Sequence, residues 1–201
     1  AYDEAFARAL KFREIRAETI SSDAPVLNVS ETMLESFAAS LPYPMTSAQE
    51  RACKEIAADV QNTQPMQRML QGDVGAGKTT VAAFALFLAV SSGKQAVIMA
   101  PTEVLARQLE ASIGSVLTPL GIRSVCLTGR DKGKARESIL EDIKSGDIQV
   151  LSGTHAVFQD NVEFKDLALV VIDEQHRFGV SDRVRLATKA TAPHLLIMSA
   201  T

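Results

Sequence analysis

The sequence predicts an α/β fold: a mostly parallel β-sheet covered by helices on both faces, with a helical extension before it. Two observations carry this. Short unbroken apolar runs, QAVIMAP (95–101), LALVVIDE (167–174) and HLLIMSAT (194–201), alternate with longer stretches of helical periodicity. Strands that are apolar on both sides are buried on both faces, the habit of parallel sheets sandwiched by helices. The ten residues QGDVGAGKTT (71–80) place three glycines between one strand and an apolar helix. Glycine weakens regular structure, so the stretch needs a compensating task.

The elements follow in order. Residues 2–18 predict a helix with Phe6, Leu10 and Ile15 near one side, broken by SSDAP at 21–25. A short helix is expected over 31–39. LPYP (41–44) breaks it, because a proline disfavours helix at the residue before it. A third helix starts after Thr46 and runs to about Val60; Thr46 with Gln49, and Ser47 with Glu50, each have capping-box spacing. Arg68–Leu70 is a strand entering the glycine stretch. A helix from Lys78 to about Ser91 ends before Gly93. After the strand closed by Pro101, Thr102 is a good N-cap for a helix over 103–117. IRSVCLT (122–128) is a strand. KARESILEDIKSG (134–146) is an amphipathic helix with Ile139, Leu140 and Ile143 on one side, and IQVLSGT (148–154) is the next strand. The boundary between extension and core domain is expected near residues 44 and 45, giving 1–44 and 45–201.

Composition excludes several classes. At 46% apolar and 22% charged residues, with no Trp, the chain suits a soluble domain with an aliphatic core. A formal charge of −3 argues against holding nucleic acid by bulk charge, and leaves room for a local basic strip. Cys53 and Cys126 have no metal-ligand spacing and make no disulfide framework, which reads as a reducing cytosol. The longest apolar run, Val81–Val90, has ten residues, too few to cross a bilayer, and the acidic amphipathic N-terminus is unlike a signal peptide. The expected location is cytoplasmic, with no membrane partner.

Gly72-Asp73-Val74-Gly75-Ala76-Gly77-Lys78-Thr79 matches the phosphate-loop pattern G-x-x-x-x-G-K-[ST] in its required strand-to-helix context. Such glycines let consecutive N–H groups turn inward around phosphate oxygens, and the helix start adds its positive end. Lys78 supplies a cation to the terminal phosphates, and the Thr79 hydroxyl is a Mg²⁺ ligand; Thr80 completes the nucleotide-contacting stretch. The second half of such a site is an acid at the end of another buried strand. Asp173 and Glu174 follow four apolar residues, 169–172. Asp173 is expected to hold Mg²⁺ through water, and Glu174 to position or deprotonate the attacking water. The implied cofactors are ATP and Mg²⁺.

With these residues the chain resembles the first RecA-like motor domain of a superfamily-two helicase or translocase. The ordered set QGDVGAGKT, APTEVLARQ (100–108), GTHAVFQ (153–159), VIDEQHRFGV (171–180) and MSAT (198–201) is similar to the RecG family of bacterial branch-migration helicases. LPYPMTSAQ (41–49) and the 2–18 helix are similar to that family's approach to the motor, so the resemblance covers nearly the whole chain. It implies a RecA-like P-loop NTPase fold and ATP-dependent helicase action on branched DNA in bacterial recombination and repair. It implies that Gln49 reads the adenine edge with Tyr43 near the base, and that Gln175 and His176 sense the γ-phosphate. Thr102, Thr128, Gly129, Thr154 and His155 would touch the DNA backbone, and Ser199, Ala200 and Thr201 would link the two sites. A second RecA-like domain of the same protein, donating an arginine, is implied as partner; the 201 residues are then an excerpt that turns over ATP weakly alone.

Plainer roles stand beside these. Gln49 serves a helix cap as readily as a base, Tyr43 packs beside prolines, Thr128-Gly129-Arg130 is also a turn signal, and Arg130 and Arg177 suit a solvated surface. A transcription-repair coupling factor has a similar motor, but its acidic motif usually reads DEEQ-R-F-G, whereas DEQHRFG stands here. A binding module with little catalysis is the other alternative. A small GTPase is disfavoured because no N-K-x-D motif occurs.

Overall fold

Among the described residues, six strands form one sheet in the order β1-β6-β5-β2-β4-β3, and every neighbouring pair is parallel. The structure is a computed structural model that describes residues 23–173 and 192–200. Its elements run α1 (Glu31–Ser40), α2 (Ser47–Asp59), β1 (Gln67–Gln71), α3 (Lys78–Ser91), β2 (Gln95–Met99), α4 (Glu103–Leu117), β3 (Ser124–Leu127), α5 (Gly133–Ser145), β4 (Val150–Gly153), β5 (Leu167–Asp173) and β6 (His194–Ser199). Short 3₁₀ turns at Thr118–Leu120 and His155–Phe158 are additions that periodicity did not signal. The expected 2–18 helix lies outside the described residues.

The unbroken apolar runs are explained by two-sided burial. Along β2, β5 and β6, Ala96, Ile98, Leu169, Val171, Leu196 and Met198 join a core beneath α1 to α4. Their alternates Val97, Met99, Val170, Ile172, Leu195 and Ile197 join a second core on the opposite face, with Ile143 of α5 and Phe158. The period of two is intact, but both faces are covered.

Helix α3 is buried from Thr80 to Ala89. A helix apolar all round belongs in an interior, and this one packs against α1, α2, α4, β2 and β5. Phe37 of α1 meets Phe84 at 5.3 Å, edge to face, and Phe87 at 5.7 Å. Such pairs contribute about 1 kcal/mol each beyond their burial. Leu27 and Phe37 are both fully buried in the same core as α3, so residues 23–44 are packed onto the sheet domain.

The extension is also fixed by polar bonds. The Ala24 N–H donates to Thr63 O at 2.7 Å and the Leu27 N–H to Val60 O at 2.9 Å. Fully buried His194 accepts from the Met66 N–H at Nδ1 (3.0 Å), and its Nε2 lies 2.9 Å from Pro25 O. An acceptor at Nδ1 and a carbonyl at Nε2 select the neutral Nε2–H tautomer. Burial holds the imidazole below its ordinary pKa of 6.5, against the opposing Pro25 carbonyl and Asp59 charge.

Candidate functional site: a phosphate loop and the adjoining sheet edge

The loop leaves β1 after Gln71, and the Gly72 N–H is pinned to Ser199 O of β6 at 3.3 Å. Gly75 and Gly77 have φ of +85° and +75°. Gly77 is the N-cap of α3 in the left-handed region, and a Cβ there would strike the Gln49 carboxamide. Left-handed backbone costs a residue with a side chain roughly 1–2 kcal/mol. The first turn of α3 holds no acid, so its positive end faces the loop uncompensated. Lys78 Nζ donates to Gly72 O at 2.6 Å and to Asp73 O at 2.8 Å, which holds the ammonium over the loop. Val74 stands 90% exposed in the loop.

Gln49 holds both of its sequence-level possibilities open. Its N–H donates to Thr46 Oγ1 (3.3 Å), and its Oε1 accepts from the Thr46 N–H (2.9 Å), closing the capping box. Thr46, not Ser47, is therefore the N-cap of α2. The remaining Nε2 donates to Ala76 O at 3.1 Å, inside the phosphate loop. A cleft of about 400 Å³ opens beside it, lined by residues that include Gln49, Gly72, Ala76 and Lys78. Tyr43 is half exposed, and its hydroxyl lies 3.0 Å from that of Thr80, which is itself buried.

Asp173 ends β5 opposite Met198 of β6, and Met198 in turn pairs with Leu70 of β1. The carboxylate therefore stands on the edge from which the loop departs, one strand removed. Glu174, Gln175, His176, Arg177 and Thr201 lie outside the described residues. Ser199 is buried and its hydroxyl donates to Ala200 O at 3.0 Å.

The other half of the same edge gathers the remaining motif residues. Met99, Gly153 and Leu127 are in register at the ends of β2, β4 and β3. Thr102, Thr154 and Thr128 follow close behind them. Thr102 caps α4 by accepting from the Leu105 N–H at 3.3 Å. Thr154 precedes the 3₁₀ turn that carries His155. Thr128 is fully buried; its N–H and Oγ1 both donate to Asp131 Oδ2, at 2.7 and 3.0 Å, and the turn signal at 128–130 is fulfilled. Gly129 lies in that turn, beside Glu103 of α4. Gly153 admits no side chain, because a Cβ would strike Leu127 O and Val157.

Sequence reasoning passed over three supporting groups. Gln95, which it absorbed into a strand, is buried and makes four bonds: Nε2 donates to Ile143 O and Ile148 O (2.8 and 2.7 Å), and Oε1 accepts from the Lys165 and Asp166 N–H groups (2.8 and 3.1 Å). Glu110 of α4 accepts from Ser124 Oγ (2.6 Å) and Ser152 Oγ (2.5 Å), which fastens α4 over β3 and β4. His194 is the third. A polar residue opening an apolar strand was the available signal for Gln95 and His194. The cysteines are free; burial, with Glu50 adding to it, pushes the Cys53 thiol up to about 12, and burial also raises Cys126.

Among the described residues, no group of three His, Cys, Asp or Glu side chains is placed to hold a metal ion, and no helix is long and apolar enough to cross a membrane. The DEAD/DEAH box helicase family matches residues 46–201. The ATP-dependent DNA helicase RecG of Pasteurella multocida is 46% identical over all of this chain and 29% of its own length. Those of Bacillus subtilis and Escherichia coli K12 are each 45% identical, over 30% and 29% of their lengths. This chain thus spans less than a third of these relatives. The structure of RecG bound to a three-way DNA junction superposes over 98% of this chain, and 27% of that one, with a TM-score of 0.80 at 36% identity. The UvsW helicase of bacteriophage T4 shares the fold at a TM-score of 0.62 and 14% identity, over 88% of this chain and 62% of its own.

Proposed function

The chain belongs to the DEAD/DEAH box helicase family, and on that premise we propose that it is the ATP-binding motor domain of a RecG-like DNA helicase acting on branched DNA. The observation that carries the reading is the β1-β6-β5 register, because it brings Asp173 to the edge where the phosphate loop leaves the sheet. A loop of inward amides without its acid would bind phosphate and do no more.

In this reading the N–H groups of Gly72–Thr79 and the start of α3 hold the ATP phosphates, with Thr80 behind them. Lys78 exchanges the Gly72 and Asp73 carbonyls for phosphate oxygens. Thr79 and Asp173 are hard oxygen donors suited to Mg²⁺ that arrives with the nucleotide, and the metal would supply charge neutralisation at the phosphates. Glu174 positions or deprotonates the attacking water, and Gln175 and His176 sense the γ-phosphate. Gln49 reads adenine. Thr102, Gly129, Thr154 and His155 contact the DNA backbone, with Thr128 holding the turn that presents Gly129. Ser199 to Thr201 couple the two halves of the edge, and a second RecA-like domain completes the motor. A cytoplasmic location fits the same reading.

The test is Lys78→Ala in the full-length protein. ATP turnover should fall by about a hundredfold or more, as for loss of a charge-stabilising donor; unchanged turnover refutes the proposal. Stronger stimulation of the wild type by branched than by linear duplex DNA separates this reading from a transcription-repair coupling motor. The isolated 201 residues should hydrolyse ATP slowly, since the transferring phosphoryl group draws charge stabilisation from a partner arginine.

A further inference from the structure

We propose that Arg130, Lys132 and Lys134, at the turn joining β3 to α5, form a phosphodiester-binding strip that holds the DNA backbone beside the Thr102–Thr128–Thr154 edge. This rests on the helicase reading above and adds to it a binding site formed by side chains outside its motifs. The chain as a whole carries −3, yet RDKGKAR (130–136) holds four cations and one acid.

That acid is already engaged. Asp131 Oδ2 accepts from the Thr128 N–H and hydroxyl, and Oδ1 lies 3.7 Å from Arg107 Nη2. Glu103 Oε2 meets Arg130 Nε at 2.8 Å but leaves 84% of that arginine side chain in solvent. The pair orients the guanidinium toward the start of α4 without covering it. Lys132 and Lys134 are exposed, and neither forms an ion pair or hydrogen bond with another described residue. Like charges crowded on one turn repel, and a bound anion relieves that repulsion.

The strip is also fixed in place. Arg136 Nη2 donates to Gln159 Oε1 at 2.8 Å, which ties the first turn of α5 to the segment after the His155–Phe158 turn. The 130–136 segment is thus held at both ends, by Arg130 on Glu103 at the start of α4 and by Arg136 on Gln159 beyond the His155–Phe158 turn. In the proposal, a phosphate strand along the Thr102–Thr154 edge is held by these cations as well as by the motif turns. Phosphate contacts of this kind position nucleic acid without reading its sequence.

The experiment compares Lys132→Gln/Lys134→Gln with a charge-matched control, Lys144→Gln/Lys165→Gln, at the opposite end of α5. Binding to mixed-sequence duplex and single-stranded oligonucleotides is followed by fluorescence anisotropy across a salt series. Each phosphate contact contributes about 0.9 to the logarithmic salt slope on duplex and about 0.7 on a single strand. The strip variant should lose about 1.8 of slope on duplex, or about 1.4 on single strands, equally for every sequence. At about 0.1 M salt that is roughly an eightfold loss of affinity per lysine on duplex and roughly fivefold on a single strand. The control should keep the wild-type slope, and both variants should bind ATP as the wild type does. A strip variant with the wild-type slope overturns the assignment while leaving the helicase reading intact. A wild type that binds neither oligonucleotide overturns both. Loss of polyglutamate binding to the same extent as DNA binding assigns the strip to acidic proteins instead and overturns it.

Discussion

The Gln49 carboxamide donates to the carbonyl oxygen of Ala76 at 3.1 Å, so the N-terminus of α2 is fastened to the phosphate loop. The same side chain closes the capping box through Oε1. Gln49→Ala removes both bonds at once. Thr46 Oγ1 still accepts from the backbone N–H at position 49, so the variant loses only the reciprocal half of the box and the tether, at about 1 kcal/mol for a hydrogen bond, read as a lower urea midpoint. If the amide also reads adenine, the variant loses its preference for ATP over GTP in a nucleotide titration. Retained preference with lowered stability would leave Gln49 a cap and a tether only.

Two glycine substitutions should separate strain in the loop from crowding in the sheet. Gly77→Ala must hold a left-handed φ of +75°, and its Cβ meets the pliable end of Gln49. Its main effect should be on the loop: nucleotide affinity falls steeply, with about 1–2 kcal/mol of stability. Gly153→Ala instead meets the backbone carbonyl of Leu127, held by the β3–β4 ladder. Overpacking against an element that cannot yield costs roughly 1–3 kcal/mol. Its urea midpoint should drop while ATP affinity per folded molecule is unchanged. Similar nucleotide affinities in the two variants would contradict this division.

Gln95→Leu keeps volume and removes four hydrogen bonds, leaving Ile143 O, Ile148 O and the Lys165 and Asp166 N–H groups without that partner. Each unsatisfied buried group costs about 1–3 kcal/mol, but the chain near 165 can reach water after small shifts. A net loss of about 3 kcal/mol is expected, with the urea m-value preserved. A loss below about 1 kcal/mol would mean that the four groups find other partners.

What the sequence made legible is what depends on local pattern. The unbroken apolar runs at 96–99, 167–172 and 195–198 announced buried parallel strands, and the caps at Thr46 and Thr102 were read from residue type. The phosphate loop was legible because its glycines sit at fixed spacing. What it hid are the long-range polar clamps. His194 bonds residues 25 and 66, and Gln95 bonds residues 143 to 166, across separations that no window spans. The wholly parallel order β1-β6-β5 is likewise a tertiary fact, and it alone brings Asp173 near the loop. Thr128 shows the converse limit: a motif position suited to DNA contact has its hydroxyl engaged with Asp131.

His194 makes the junction between extension and sheet sensitive to acid. Buried and bonded as a neutral ring, it titrates below its ordinary value of 6.5 in the folded chain. The unfolded chain therefore binds the proton more readily, and between the folded and unfolded pKa values stability rises with pH. The contribution is complete above about pH 6.5 and is lost as pH falls toward the folded value, at up to about 1.4 kcal/mol per pH unit. Protonation at Nδ1 also sets a donor against the Met66 N–H, so the Ala24–Leu27 segment should loosen first. His194→Gln offers an acceptor and a donor that do not titrate. Urea midpoints from pH 8 to pH 5 should fall more steeply for the wild type than for the variant, even though the variant starts lower. Parallel curves would remove His194 as the source.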